Sequence, residues 1–335
     1  MKSPLVSILI PFKNTELFLL ECLNSIINQS YTNWELLIVD DNSSDKSYSI
    51  AASCAAEDDR IILLKNSGFG IIDALATAFS HSKGDYITRM DSDDIMHLDK
   101  LKFMAKDLQE HGLGHIALGL VKYFCANGVG EGFARYETWL NSLTTQGSNF
   151  SEIYKECVIP SPCWMVHRED LIKSEAFVPN RYPEDYDLAF RFKKHGLKCI
   201  PSQKILLYWR DYTTRTSRTH EHYAQNHFLD IKLHYFLESD FNNSRPLAIW
   251  GAGTKGKHIA KLLIEKKIQF YWICDNPKKI GKDIYEKRLL PFNYLEQLED
   301  PQSIITVANE DAQSEITQYF HSYNMVSMQD YFFFC

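Results

Sequence analysis

Residues 86–101 read YITRMDSDDIMHLDKL, which places Asp91, Asp93, Asp94 and Asp99 within nine positions directly behind an apolar, β-prone run. Carboxylates this close repel one another unless a cation, hydrogen-bond donors or bulk water takes up the charge. Asp91 and Asp93, one residue apart after a strand, can point towards a common ion, and hard oxygen ligands favour Mg²⁺ or Mn²⁺ over softer metals. An ion held this way keeps positions that phosphate oxygens can fill. The same spacing also suits a solvated turn in which an aspartate caps a helix.

A second acidic pair lies far along the chain in YPEDYDLAFRFKKHG, where Glu184 and Asp185 open a helical pattern. Taken alone, they suit either a helix start stabilised by negative groups or acid–base work. Downstream, WRDYTTRTSRTH carries Arg210, Arg215 and Arg218 among hydroxyls. A forked guanidinium suits a diphosphate, and a surface or interdomain role stands beside that reading. Trp164 either stacks on a sugar ring or fills the core.

The glycines of GAGTKG, Gly251, Gly253 and Gly256, lie between a strand and a helix, and Asp275 ends the next strand. A tight turn, close backbone approach and helix N-terminal amides are what a nucleotide phosphate needs. A structural or oligomerising unit is the alternative. His220, His222, His227 and His234 lack the HExxH spacing or cysteine partners of a zinc site. Lys261, Lys266, Lys267, Lys278, Lys279 and Lys282 form either a face for anionic membrane or ordinary solvated charge.

The elements that must position these groups alternate. Val6 to Ile10 reads as a strand closed by Pro11, and Leu19 to Gln29 as a helix. Glu35 to Val39 reads as a strand ending at DDNSSD, and Arg60 to Leu64 as another. Ile71 to His81 reads as a helix and Asp85 to Met90 as a strand. Such alternation predicts a mostly parallel sheet covered by helices on both faces, with ligands beyond the carboxyl ends of the strands. Both aspartate clusters, at 40–45 and 91–94, fall at such ends. Residues 112–165 lack clean periodicity and read as strands and loops shaping a substrate pocket. Residues 219–244 read as a linker helix and a polar break, dividing a first domain, 1–218, from a smaller α/β domain, 245–335.

Composition narrows the function classes. A formal net charge of −7 argues against a nucleic-acid binder working by whole-surface electrostatics. Eight cysteines without a CxxC pair indicate neither a zinc module nor a secreted disulfide framework, so a reducing cytoplasm fits. The apolar run of MKSPLVSILIPF lacks the length and cleavage site of a signal peptide, and no window reaches the length of a spanning helix.

The ordered set LVSILIPFKNTE, ELLIVDDNSSDKS, NSGFGIIDALATAFSHSKGDYITRMDSDD and YPEDYDLAFRFKKHG resembles the family 2 inverting glycosyltransferases of the GT-A fold over roughly the first 215 residues. That resemblance implies an α/β/α nucleotide-binding sandwich and transfer from a nucleotide-sugar, typically UDP-linked, to a carbohydrate acceptor in polysaccharide or surface-glycan synthesis. It implies that Pro11 lies beside the nucleotide, that Asp41 takes the base, and that Asp93 ligates Mn²⁺ or Mg²⁺. Asp91 then serves the ribose or a metal-bound water, or joins Asp93 on the ion. Asp94 becomes a cap and Asp99 a surface charge. Asp185 becomes the general base, with Glu184 positioning the acceptor or the loop, and Arg210 falls in a loop that closes over the donor.

One departure is the Ala-Arg-Asn run of many relatives, replaced here by IDALA, which leaves Lys65 or Asp73 to share the nucleotide contact. The last domain resembles the small Rossmann-like domain of bacterial sugar acyltransferases. A lipid-linked acceptor, peripheral contact with the inner membrane face and a homodimer are compatible with these features. Two rival functions stand beside transfer: a nucleotide-sugar binding scaffold without activity, and an NAD(P)-dependent oxidoreductase built on GAGTKG.

Overall fold

The protein is described by a computed structural model that covers residues 3–126, 128–178, 181–213, 215 and 225–335, the side chains of 225–227 excepted. The chain divides into two compact units, one of Met1–Phe150 and Val158–Thr219, the other of Ser151–Cys157 and His220–Cys335.

The first unit begins with β1 (Val6–Phe12), α1 (Leu19–Ile27), β2 (Trp34–Asp40), α2 (Ser47–Glu57), β3 (Ile61–Lys65), α3 (Gly70–His81) and β4 (Tyr86–Arg89). β1 and β2 are buried at every residue, as central strands covered on both faces must be. α1 buries Leu19, Cys22, Leu23 and Ile26, the i, i+3, i+4, i+7 stripe that seats a helix on a sheet. β5 (Ile95–Met96), α4 (Lys100–His111), β6 (His115–Leu118), β7 (Leu120–Phe124) and α5 (Glu131–Gln146) follow, then β8 (Trp164–His167), α6 (Arg168–Lys173), α7 (Glu184–Lys194), β9 (Lys198–Ile200) and β10 (Ile205–Arg210).

The main sheet runs β3-β2-β1-β4-β8-β6-β9, parallel from β3 to β4 and antiparallel where β8 is inserted. Its order reverses between β1 and β4, the switch point at which such sheets open a crevice beyond their carboxyl ends. A small sheet, β5-β10-β7, pairs Tyr208 with Ile95 and Arg210 with Phe124. It thereby brings the end of β10 against the turn that precedes β5.

Two sequence expectations change here. Pro11 does not close β1, which runs on to Phe12. Pairing with β4 stops at Leu9, so the missing amide of Pro11 breaks no ladder on that side. The stretch read as strands and loops also holds α5, a helix of 16 residues ended by Gly147 in the left-handed conformation, φ 68°.

The second unit has a six-stranded sheet of order β13-β14-β12-β11-β15-β16, parallel but for the β13/β14 hairpin. Its strands are β11 (Leu247–Trp250), β12 (Tyr271–Ile273), β13 (Asp283–Ile284), β14 (Lys287–Leu290), β15 (Gln302–Ile305) and β16 (Tyr331–Phe333). The helix α8 (Gln225–Tyr235) precedes them, and α9 (Thr254–Glu265) and α10 (Glu310–Ser322) complete the unit. Residues 151–157 join it because Tyr154 stacks on Phe334 at 5.1 Å and buried Lys232 donates to the carbonyl of Lys155 at 2.7 Å.

Candidate active site

Two strand ends of the first sheet and the start of α7 carry the predicted acids. Asp41 follows β2, and its amide donates to the carbonyl of Phe12 at the end of β1. Its carboxylate is nearly buried: Oδ1 accepts from Asn66 Nδ2 at 2.6 Å and from the amide of Gly70 at 3.1 Å, while Oδ2 faces Lys13 Nζ at 3.4 Å. Two donors on Oδ1 fix the carboxylate, with Oδ2 on the Lys13 side. Asp73 does not reach this group: its Oδ2 accepts from the amide of Phe69 at 2.9 Å and ties down the start of α3. Lys65 lies over the ring of Tyr48 at 5.3 Å.

After β4 the turn Asp91–Asp94 is held on every side. Arg89 Nε and Nη2 each lie 2.9 Å from Asp91 Oδ1, and Ser161 Oγ donates to Asp91 Oδ2 at 3.1 Å. Tyr212 Oη donates to Asp93 Oδ2 at 2.9 Å. Arg210 donates through its amide to Asp94 Oδ1 at 2.7 Å and through Nε to the carbonyl of Asp93 at 2.7 Å. Asp94 Oδ2 is buried with no hydrogen-bond partner among the described residues. Asp94 is thus part of the buried turn, and Asp99, expected at the surface, accepts from Ser30 Oγ at 2.6 Å.

Crowding these acids has an electrostatic cost. Burial and the neighbouring Asp91 push the Asp93 carboxyl up, against Arg215 and the Tyr212 hydrogen bond, which pull it down. Burial together with Asp93 drives Asp94 well above the carboxylate range. Burial alone would lower Arg215, yet Asp94 and Asp93 outweigh it and hold the guanidinium protonated. Lys100, fully buried, donates to the carbonyl of Pro162; burial pulls its amine down, against the nearby Asp91 and Asp94 charges.

The other acidic pair opens α7, directly after the cis Tyr182–Pro183 peptide. Glu184 is buried and its Oε1 lies 3.1 Å from Arg89 Nη1, so one guanidinium touches both acidic clusters. Asp185 keeps part of its surface in solvent, and Oδ1 accepts from the amide of Tyr186 at 2.8 Å. Desolvation and then Glu184 push its carboxyl up to about 7, with Arg89 opposing. Asp187 plays another part, paired with Arg181 at 3.0 Å and Arg191 at 2.7 Å.

The sequence model of Glycosyl transferase family 2 matches residues 7–174, just over half of the chain. The chain belongs to glycosyltransferase family 2. Among relatives of this family 2 glycosyltransferase, glycosyltransferase GlyG of Streptococcus pneumoniae serotype 4 is 37% identical over 110 residues, 32% of this chain and 36% of that protein. The putative glycosyltransferase EpsE of Bacillus subtilis strain 168 is 39% identical over 110 residues, 32% of this chain and 40% of its own. The match therefore spans less than half the length of either relative. In three dimensions the family 2 chain is similar to residues 1–349 of S. aureus TarS solved in complex with UDP-GlcNAc, with TM-score 0.54, 18% identity and coverage of 77% of this chain and 71% of that one. It is also similar to the mannosyltransferase PcManGT from Pyrobaculum calidifontis, solved in complex with GDP-Man and Mn²⁺, with TM-score 0.53, 18% identity and coverage of 71% and 65%. At such identities the likeness is one of fold, the GT-A sandwich.

Within this family 2 chain the acids suit a divalent ion held in the open manner. Among the described residues no group of three or more His, Cys, Asp or Glu forms a metal cage. An ion carried by one or two carboxylates and completed by phosphate oxygens needs no cage. Of Asp91 and Asp93, the latter suits it better, with Tyr212 donating to its Oδ2. Both oxygens of Asp91 already accept hydrogen bonds.

Arg210 lies over the rings of Phe18 and Phe124 at 4.7 and 4.5 Å and reaches Glu21 through Nη2, so in this conformation its fork holds the acidic turn. Trp164 is 1% exposed and meets Phe192 edge-on, a core residue. Sequence reasoning did not single out Arg89, Tyr212, Ser161 or Lys100. Arg89 did have a signal, a cation ending an apolar strand two residues before an acid, where alternate side chains share a face.

In the second unit Gly251 has φ 121°, and a Cβ on Gly256 would stand 2.0 Å from the carbonyl oxygen of Gly251. The first and third glycines are thus required by the turn and by the approach of α9. Asp275 Oδ2 accepts from Trp250 Nε1 at 2.6 Å, and Lys279 Nζ donates to the carbonyl of Ala252 at 3.0 Å. His234 faces Glu238 at 3.6 Å. Arg218, His220, His222 and the side chain of His227 lie outside the described residues. No helix among the described residues is long and apolar enough to cross a membrane.

Proposed function

We propose that the chain transfers a sugar from a nucleotide-sugar, with inversion, to a carbohydrate acceptor in polysaccharide or surface-glycan synthesis. The observation that carries this reading is the meeting of two acidic clusters at Arg89: the DSDD turn on the strand-end side and Glu184–Asp185 at the start of α7. The complexes of the structural neighbours with UDP-GlcNAc and with GDP-Man and Mn²⁺ support a nucleotide-sugar donor.

In this reading Asp41 Oδ2 accepts an N–H of the base, Pro11 lies beside the nucleotide, and Asp91 faces the ribose side. Arg210 serves the donor by holding the turn of Asp93 and Asp94. Mn²⁺ or Mg²⁺ on Asp93, when bound, neutralises the charge that develops on the departing diphosphate. Asp185 takes the proton of the acceptor hydroxyl as its oxygen bonds the anomeric carbon. The bond from that carbon to the diphosphate oxygen breaks with its electron pair, and attack from the opposite face inverts the centre. A base near pH 7 in strength suits that task. Glu184 orients the helix start.

Release of nucleotide from UDP-glucose, UDP-GlcNAc and GDP-mannose, each with and without Mn²⁺, tests the reading. Metal-dependent release by the wild type that is lost in Asp185→Asn supports transfer. Binding without release moves the scaffold reading ahead. Tight NAD(P) binding with no nucleotide-sugar response would favour an oxidoreductase built on Gly251, Gly253, Gly256 and Asp275.

A further inference from the structure

We propose that Arg89 is a positioning residue that sets the separation between the donor-side acid Asp91 and the acceptor-side helix start at Glu184. The proposal rests on the transferase reading for its kinetic consequences and on geometry alone for its structural ones.

Arg89 is the last residue of β4, in register with Leu9 of β1 at the centre of the main sheet. Its backbone cannot shift without moving the sheet. Its side chain is 6% exposed, and all three guanidinium nitrogens are used: Nε and Nη2 on Asp91 Oδ1, Nη1 on Glu184 Oε1. Asp91 is braced from the other side by Ser161. Glu184 is equally buried, and as the first residue of α7 it carries Asp185 beside it. Along the chain Arg89 and Glu184 are 95 residues apart, whereas the planar guanidinium joins the two clusters in one rigid step. Without that charge, Asp91, Glu184 and Asp185 would repel one another more strongly, and the start of α7 would lose its tie to the end of β4.

A lysine keeps the charge but offers one tetrahedral nitrogen on a flexible stem, which cannot occupy three sites in one plane. That separates positioning from charge balance. A buried ion pair is also weak evidence for stability, since joint replacement of both partners is often tolerated. Loss of fold is therefore not the expected result of removing the pair together.

The test compares wild type, Arg89→Lys, Arg89→Met and the double variant Arg89→Met/Glu184→Gln. Hydrogen exchange is read over residues 184–188, and kcat and donor KM are read with UDP-GlcNAc or GDP-mannose and Mn²⁺. Positioning predicts that Arg89→Lys exchanges at least tenfold faster in the first turn of α7 while β1 and β2 stay protected. It also predicts kcat falling by about 10- to 100-fold with donor KM within about twofold. The double variant stays folded but is no better a catalyst than Arg89→Met. Wild-type exchange at 184–188 in Arg89→Lys overturns the proposal whether or not the protein turns over any donor. So does full recovery of kcat by lysine. A wild type without turnover counts against the transferase reading alone, because the exchange result still decides the role of Arg89.

Discussion

The phenol of Tyr212 donates to Asp93 Oδ2 at 2.9 Å across 119 residues of chain. Under the proposed function, this bond steadies the carboxylate assigned to the divalent ion. Such outer partners are commonly worth about 10- to 100-fold in metal affinity. Tyr212→Phe should weaken Mn²⁺-dependent UDP binding by roughly tenfold, and Asp93→Ala should abolish it. Calorimetric titration of UDP with and without Mn²⁺ measures both, and undiminished binding by Asp93→Ala would remove the metal assignment.

Asp185 is pushed up to about 7 by desolvation and Glu184, so its basic form grows through neutrality. The value of kcat should rise with pH across about pH 6 to 8 and then level. Asp185→Asn should lower kcat by about 10²- to 10⁴-fold and flatten that limb. An initial-rate pH profile checks this, and a flat wild-type profile over the same window would exclude Asp185 as the base.

The same shift destabilises the fold. An unperturbed Asp titrates near 3.9, so between about pH 4 and 7 the unfolded chain has released a proton that the folded chain keeps. Stability contributed at this site therefore falls as pH rises through that window and stays low above it. Asp185→Asn removes the effect and should raise Tm by roughly a few degrees at pH 8, with little change near pH 4. Circular dichroism melts at the two pH values decide it; equal changes at both would mean that the gain has another source.

In the second unit a Cβ on Gly256 would lie 2.0 Å from the carbonyl oxygen of Gly251, which accepts from Trp272 Nε1 at 2.9 Å. Gly256→Ala should cost about 1–3 kcal/mol or more. Donor binding by the folded fraction should be unchanged if the nucleotide-sugar site is confined to the first unit. Denaturant unfolding and Mn²⁺-UDP titration of the same sample separate the two effects, and unaltered stability would contradict the close approach of α9.

Much of the first unit was legible because its information is local. Buried parallel strands need unbroken apolar runs, so β1, β2 and β4 announced themselves to within two residues. An acid directly behind such a run must sit at a carboxyl end, which placed Asp41, Asp91 and Asp93. α5 was missed because it buries only Leu140, Leu143 and Thr144, too thin a stripe for periodicity to reveal. The tie of 151–157 to the second unit was missed because it depends on Tyr154 meeting Phe334, far along the chain.

The amino-acid sequence by itself determined the alternation of strands and helices, the chemistry available at their ends and the order of the acidic motifs, since each depends on residue type and near spacing. Only the tertiary structure decided which groups share a charge. Arg89 meeting Glu184, Tyr212 donating to Asp93 and the charge of Arg215 acting on Asp94 relate residues that spacing does not. Electrostatic coupling depends on distance through space and on burial, and both exist only once the sheet and α7 have packed.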